Sequence, residues 1–126
     1  MKEIKSAKIK VMDVFKNWYI VPSYQRHYVW EEDNINALLE DIKDNYLERN
    51  DEEYFLGSYI IQSKNDNNDL LDGQQRITTL FLLFAFLRDY EQTENQYRSE
   101  FQDYIYQGAK PMSGIKERVR LTYEIR

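Results

Sequence analysis

The chain has no cysteine among its 126 residues, which excludes disulfides, thiolate catalysis and thiolate metal sites. It has one histidine, His27, so a histidine-rich metal centre is excluded as well. Basic residues are outnumbered, 17 against 22, for a net charge of −5. A chain of that balance does not coat nucleic acid by bulk charge, although a local basic patch remains open to it. Long apolar runs are also missing. The longest, Ile77 to Leu87, contains Thr78 and Thr79 and is too short to span a bilayer. The N-terminal Met1-Lys2-Glu3-Ile4-Lys5 offers no signal-peptide core. The expectation is a cytoplasmic protein with no membrane partner.

What is present suffices for a core: 42% of residues are hydrophobic, and the aromatics are mainly 11 tyrosines. Tyrosine buries its ring and keeps its hydroxyl at a polar edge, so its abundance points to surfaces that are half apolar and half wet. The length fits one domain spanning 1–126. Lys8 to Tyr19 reads as a short strand or extended start, broken at Val21-Pro22. Ile35, Leu38, Leu39, Ile42, Tyr46 and Leu47 follow helical spacing behind Glu31-Glu32-Asp33, with Asp33 as the cap. A strand is predicted over Tyr54–Gln62, a turn over Ser63–Asp69 and a second short strand over Asp69–Asp72. A helix from near Gln75 to Tyr90 is apolar almost all round and predicts a central buried element. Thr93–Tyr106 predicts an amphipathic helix and Gln107–Gly114 a loop. The final alternation of Val119, Leu121, Tyr123 and Ile125 predicts a half-buried strand. That strand runs out with neither turn nor cap, so the expectation is a longer chain that continues past Arg126.

The chemistry concentrates in Asp72-Gly73-Gln74-Gln75-Arg76-Ile77-Thr78-Thr79. A carboxylate, two amides and a guanidinium between apolar stretches are poor core material and good material for holding phosphate. Gly73 lets the backbone approach a ligand at positive φ. The first N–H groups of the following helix have no intrahelical partner, and Arg76 adds a planar fork of donors. Gln74 and Gln75 can donate to phosphate or ribose, or orient water, and Thr78 and Thr79 supply hydroxyls. Asp72 can hold magnesium, fix Arg76 or position water. The plainer reading is an Asp-Gly turn in which Arg76 pairs with Asp72.

In the earlier loop Tyr24, Tyr28 and Trp30 interleave with Gln25, Arg26 and His27, an arrangement that can stack a base beside a phosphate-binding arginine. Trp30 reads better as a core anchor, and His27 is given no catalytic role. Gly57, inside an apolar strand, marks either a close backbone approach or a bulge. The acidic runs Glu31-Glu32-Asp33 and Asp51-Glu52-Glu53 read as solvated surface. The basic strip of Lys116, Arg118, Arg120 and Arg126 reads as a solvated strand face.

Taken in order, Val21-Pro22-Ser23-Tyr24-Gln25-Arg26-His27-Tyr28-Val29-Trp30, Phe55-Leu56-Gly57-Ser58 and Leu71-Asp72-Gly73-Gln74-Gln75-Arg76-Ile77-Thr78-Thr79-Leu80 resemble three motifs of one family. It is the N-terminal, DGQQR-motif domain of GmrSD-type restriction enzymes and their relatives in anti-phage defence. His27 stands where the family often has proline. The resemblance implies an α/β fold similar to ParB and sulfiredoxin, a small mixed sheet with packed helices. It implies binding and hydrolysis of a nucleoside triphosphate with Mg2+, coupled to a C-terminal His-Asn-His nuclease domain or subunit that acts on DNA. Asp72, Gly73, Gln74, Gln75 and Arg76 carry over as the nucleotide site, with Asp72, Gln74, Gln75 and Arg76 in the catalytic role. Tyr24, Gln25 and Arg26 carry over as its other wall, and Gly57, Thr78 and Thr79 are added as nucleotide contacts. This chain alone holds no nuclease motif. The rival expectations are a non-enzymatic module that grips DNA-backbone phosphates and a structural docking domain.

Overall fold

The computed structural model describes residues 6–48, 53, 55–64 and 67–124. In chain order the elements are α1 (Val11–Val14), β1 (Tyr19–Val21), α2 (Glu32–Glu48), β2 (Ile60–Lys64), β3 (Asn67–Asp72), α3 (Gln74–Asp89) and α4 (Asn95–Ile105). They are followed by β4 (Tyr106–Gln107), a 3-10 turn at Pro111–Ser113, β5 (Arg118–Val119) and β6 (Leu121–Tyr123). The main sheet has the order β2-β3-β1-β6, and β4-β5 form a second, two-stranded sheet. The fold is α/β. No helix among the described residues is long and apolar enough to cross a membrane.

Strand direction is what positions the site. β1 runs parallel to both β3 and β6, while β2 runs antiparallel to β3 with Ile60 opposite Asp72. The C-terminal ends of β1, β3 and β6 and the start of β2 therefore share one edge. The core beneath is Val14, Phe15, Tyr19, Val21, Leu38, Leu70, Ile77, Leu80 and Leu121. An aromatic cluster ties α1, α3 and α4 together: Phe84 meets Phe15 and Tyr104 at 5.1 Å each and stacks on Phe101 at 5.9 Å. Arg98 of α4 closes the C-terminal end of α3, donating to the carbonyls of Arg88, Tyr90, Glu91 and Thr93, which are the acceptors a helix end leaves over.

Several local expectations change. Within Lys8–Tyr19, Lys10 is extended but Val11–Val14 form a helical turn and not a strand, because the Lys10 carbonyl accepts from the N–H groups of Asp13 and Val14 and this turn buries Val14 and Phe15. Asp33 lies inside α2 rather than capping it. The helix opens one residue earlier, and Asn34 Oδ1 accepts from Glu31 N–H at 2.9 Å. The strand predicted over Tyr54–Gln62 is paired only from Ile60, and Tyr54 lies outside the described residues. β2 runs on to Lys64 and β3 begins at Asn67, so both strands reach into the stretch predicted as a turn over Ser63–Asp69, of which residues 65 and 66 lie outside the described residues. α3 is not buried all round, for Leu82 is 50% exposed and Phe86 60%.

The last strand is split at Arg120, whose N–H donates to Ile105 and whose carbonyl accepts from Tyr19. One residue thus serves two sheets, and the alternation that looked continuous belongs to β5 and then β6. Of the basic strip, Lys116 is exposed and Arg126 lies outside the described residues, but Arg118 and Arg120 are part-buried and engaged. The Arg118 guanidinium lies over the Trp18 ring at 4.7 Å and donates to Asn67, and Arg120 donates to the carbonyls of Lys16 and Asp103.

Candidate functional site

All three sequence motifs emerge at the shared edge. Pro22–Trp30 leaves the end of β1, the 55–59 segment leads into β2, and Gly73 turns the end of β3 into α3. The chain leaves β1 toward β3 on one side and leaves β3 back toward β6 on the other. In parallel α/β sheets a crevice opens at such a reversal, outside the carboxyl ends of the strands.

Gly73 has φ +86°, and a Cβ there would stand 2.9 Å from the Ser58 carbonyl oxygen and 3.0 Å from the Tyr59 Cα. Only glycine both turns the chain in this way and admits the 55–59 backbone so closely. Gly57, at φ +134°, is in contact with Arg76 in the same manner, and a Cβ at Gly57 would overlap Arg76 Nη1. The interrupted strand is a close backbone approach.

The two glutamines face inward and join the motifs. Buried Gln74 donates through Nε2 to Gln25 Oε1 at 2.8 Å and to the Leu71 carbonyl at 3.1 Å. Gln75 Oε1 accepts from the N–H groups of Val29 (2.9 Å) and Trp30 (3.1 Å), and its Nε2 donates to the His27 carbonyl at 3.1 Å. Thr78 and Thr79 are buried too. Thr79 Oγ1 donates to the Gln75 carbonyl at 2.7 Å and meets the Tyr28 hydroxyl at 2.8 Å. Thr78 Oγ1 meets the Tyr123 hydroxyl at 2.7 Å. Four polar side chains assigned to a ligand by residue type are thus hydrogen-bonded to the protein itself: Gln74, Gln75 and Thr79 tie the entry loop to the start of α3, and Thr78 ties β6 to it.

Arg76, Arg26, Tyr24 and Asp72 face outward. Tyr24 is 69% exposed, and Arg76, Arg26 and Asp72 are exposed as well. The anticipated Asp72–Arg76 pair does not form. Asp72 Oδ1 accepts instead from Gly73 N–H at 2.9 Å, and Arg76 rests over the Trp30 ring with Cζ 5.9 Å from its centroid. Among the described residues neither Arg76 nor Arg26 has a carboxylate partner. No side chain caps the start of α3, and its first turn holds no acid, so the positive end of the helix and two free guanidinium groups lie at one edge. Glu124, just past β6, accepts from Ser23 N–H at 3.0 Å, and these hydrogen bonds hold its carboxyl below the ordinary carboxylate range.

Two contributors escaped residue-type reasoning. Trp30 packs on the core, as expected of an anchor, yet its ring also carries Arg76. Tyr123 reaches the α3 start from β6, a distance in sequence that no local pattern reveals. The site is an open edge. Cavities of about 320 and 330 Å³ lie elsewhere, one lined by Phe15, Tyr104 and Arg120, the other by Phe86 and Tyr90. For a resident metal the donor set does not fit: the described residues contain no group of three or more His, Asp or Glu side chains able to hold one. Asp72 is a lone carboxylate at the turn, already half engaged.

The arrangement can therefore bind an anion carrying several oxygens, through two guanidinium groups and a helix start, with an aromatic ring beside it. Compared with known families, the chain matches the one described as GmrSD restriction endonuclease, N-terminal domain, over residues 4–123. No curated protein matches it.

Proposed function

Because this chain belongs to the family of GmrSD restriction endonuclease N-terminal domains, we propose that it binds a nucleoside triphosphate at the motif edge and hydrolyses it for a DNA-restriction system. The observation that carries the reading is the pair of exposed arginines, Arg76 and Arg26, without carboxylate partners beside the uncapped start of α3. Exposed guanidinium groups without carboxylate partners, beside a helix start, are well suited to a polyphosphate.

In this reading the phosphates lie against Gly73 and the first N–H groups of α3. Arg76 offers its fork to the charge that develops on the transferred phosphoryl group. Arg26 and Tyr24 form the facing wall, and Tyr24 offers its ring to the base. The free oxygen of Asp72 orients the attacking water. Gln74 and Gln75 are positioning residues, because their amides hold the loop that carries Arg26. Mg2+ would enter with the triphosphate and supply charge neutralisation on its phosphates, and among the described residues Asp72 is the carboxylate at the turn that would meet it. Nuclease chemistry resides in a C-terminal domain or partner subunit, through which DNA is engaged, and the system works in the cytoplasm.

The test is calorimetric titration and thermal shift of the intact protein with each ribonucleoside triphosphate, with and without magnesium. Wild type binds and melts higher, and Arg76→Ala weakens binding by about 100-fold, the scale of a lost bidentate charge-assisted contact. If neither protein binds any triphosphate, the reading fails. If duplex DNA binds instead, with a steep salt dependence and no competition from nucleotide, the edge is a DNA-backbone module.

A further inference from the structure

We infer that Trp30 and Gly57 are positioning residues for Arg76, together fixing the plane of its guanidinium so that its N–H edge, rather than a mobile charge, meets the ligand; this rests on the nucleotide reading of the edge. Two contacts define the device. The guanidinium lies over the Trp30 ring, with Cζ 5.9 Å from the centroid. It also lies against the bare backbone of Gly57, where a Cβ would stand 3.1 Å from Cζ and 3.4 Å from Cδ and would overlap Nη1.

Each contact comes from a different motif, and each contact residue is itself held. Trp30 donates its N–H to Gln75, the residue adjoining Arg76, at 3.1 Å and packs on the core. Gly57 takes φ +134° in the segment that also lies against Gly73. The three motifs thereby close a ring of contacts, Gln75 to Trp30 to Arg76 to Gly57, with α3 as its base.

The physical consequence concerns entropy and geometry. A free arginine loses rotamer freedom when it meets a phosphate, and a pre-set one loses less. A guanidinium held between the Trp30 ring and the Gly57 backbone turns its remaining N–H groups outward as a fixed set of donors, which suits phosphate oxygens. A lysine at the same place would supply charge without that fork. The chemical class favoured is thus a phosphate group with at least two non-bridging oxygens. A terminal phosphate of a polyphosphate chain offers three and a phosphodiester two, so the fork alone does not separate them and the titrations with nucleotide and duplex DNA do.

The experiment follows the Arg76 Nε–Hε resonance in the ¹⁵N-labelled intact protein, assigned with Arg76→Lys, alongside the affinity for each ribonucleoside triphosphate. In wild type the ring current of Trp30 displaces this resonance from the free-arginine position. Trp30→Leu returns it there and weakens binding about threefold to tenfold, the scale of a lost cation–π contact. Trp30→Phe restores most of both. Gly57→Ala moves the same resonance. In an Arg76→Ala background Trp30→Leu causes no further loss of affinity, since its effect passes through the arginine. An Arg76 resonance unchanged between wild type and Trp30→Leu overturns the inference whether or not nucleotide binds. So does an affinity loss of equal size in the Arg76→Ala background. If no triphosphate binds, the nucleotide reading falls and the resonance alone decides the positioning.

Discussion

The two ends of α3 reverse what their compositions call for. Its start is polar and buried: Gln74, Thr78 and Thr79 are 8%, 6% and 5% exposed. Its later turns are apolar, yet Leu82 and Phe86 are half or more exposed. The start can be buried because each polar atom meets a partner arriving from β1, β3 or β6, and no buried side-chain N or O among the described residues lacks one. That satisfaction is the condition on which polar groups enter a core at small cost. The later turns are covered by α4 through Phe84 and Phe101, which leaves the opposite stripe bare. The arginines show the same contrast. Arg88 is engaged by Asp89 and Gln102, and Arg98 by four carbonyls, whereas Arg76 at the polar end has no carboxylate partner among the described residues.

The sharpest way to break this comparison is to truncate an apolar side chain at each end. Ile77→Ala removes a side chain only 6% exposed in the middle of the motif and is expected to cost about 2–4 kcal/mol. Phe86→Ala deletes a larger side chain that is 60% exposed and is expected to cost under about 1 kcal/mol. Urea unfolding of the two variants, compared at equal m-value, gives the answer. Equal losses would mean that the later turns are as buried as the start, and the contrast would be void.

The next largest effect belongs to the amide that joins helix to loop. Gln75→Ala removes one acceptor shared by the Val29 and Trp30 N–H groups and one donor to the His27 carbonyl. The expected cost is about 1–3 kcal/mol, the sum of modest net hydrogen bonds at a part-buried position. Because those bonds fix the loop, backbone amide exchange at 27–30 should rise by more than it does in α4. A uniform rise across the chain would assign Gln75 to general stability instead of loop attachment.

The order of the three motifs, the Gly73 turn and the span of α3 to within a residue were all legible from residue types, because each rests on local rules: a glycine at positive φ, a helix after it, apolar periodicity. Which way the polar residues of α3 face was not. Successive helical residues differ by about 100°, so Gln75 meets the 27–30 backbone while Arg76 turns to the Trp30 ring and Gly57 only once the sheet edge is in place. Residue type marked Gln74, Gln75, Thr78 and Thr79 as ligand contacts, but it could not show the hydrogen bonds that Gln74, Thr79 and Thr78 make to Gln25, Tyr28 and Tyr123, 45 to 51 residues away in sequence. The split at Arg120 was hidden for the same reason: alternation survives across a residue that changes sheets, and only the long-range bonds to Ile105 and Tyr19 reveal the change.

The smallest effect tests whether the buried polar end behaves as a core should. Burial pushes the Tyr123 hydroxyl above its ordinary value of 10.0, against the opposing influence of its hydrogen bond with Thr78. A tyrosine is neutral while protonated, so a raised value in the folded state means that above pH 10 the unfolded chain releases a proton the folded chain retains. The stability this represents is complete below the unfolded value and declines as pH rises through the folded one. Tyr19, buried beneath the same sheet and shifted in the same direction chiefly by desolvation, adds an alkaline loss common to wild type and variant. At neutral pH Tyr123→Phe leaves Thr78 Oγ1 without its partner and costs about 1 kcal/mol. Above pH 10 the wild type loses stability through Tyr123 and through the other raised tyrosines, Tyr19, Tyr104 and Tyr106, while the variant loses it through those other three, so the gap between them narrows. Urea midpoints between pH 7 and 11 measure that gap. A gap that stays constant would mean that the Tyr123 hydroxyl is hydrated in the folded protein, and that the polar end of α3 is wetter than its hydrogen bonds require.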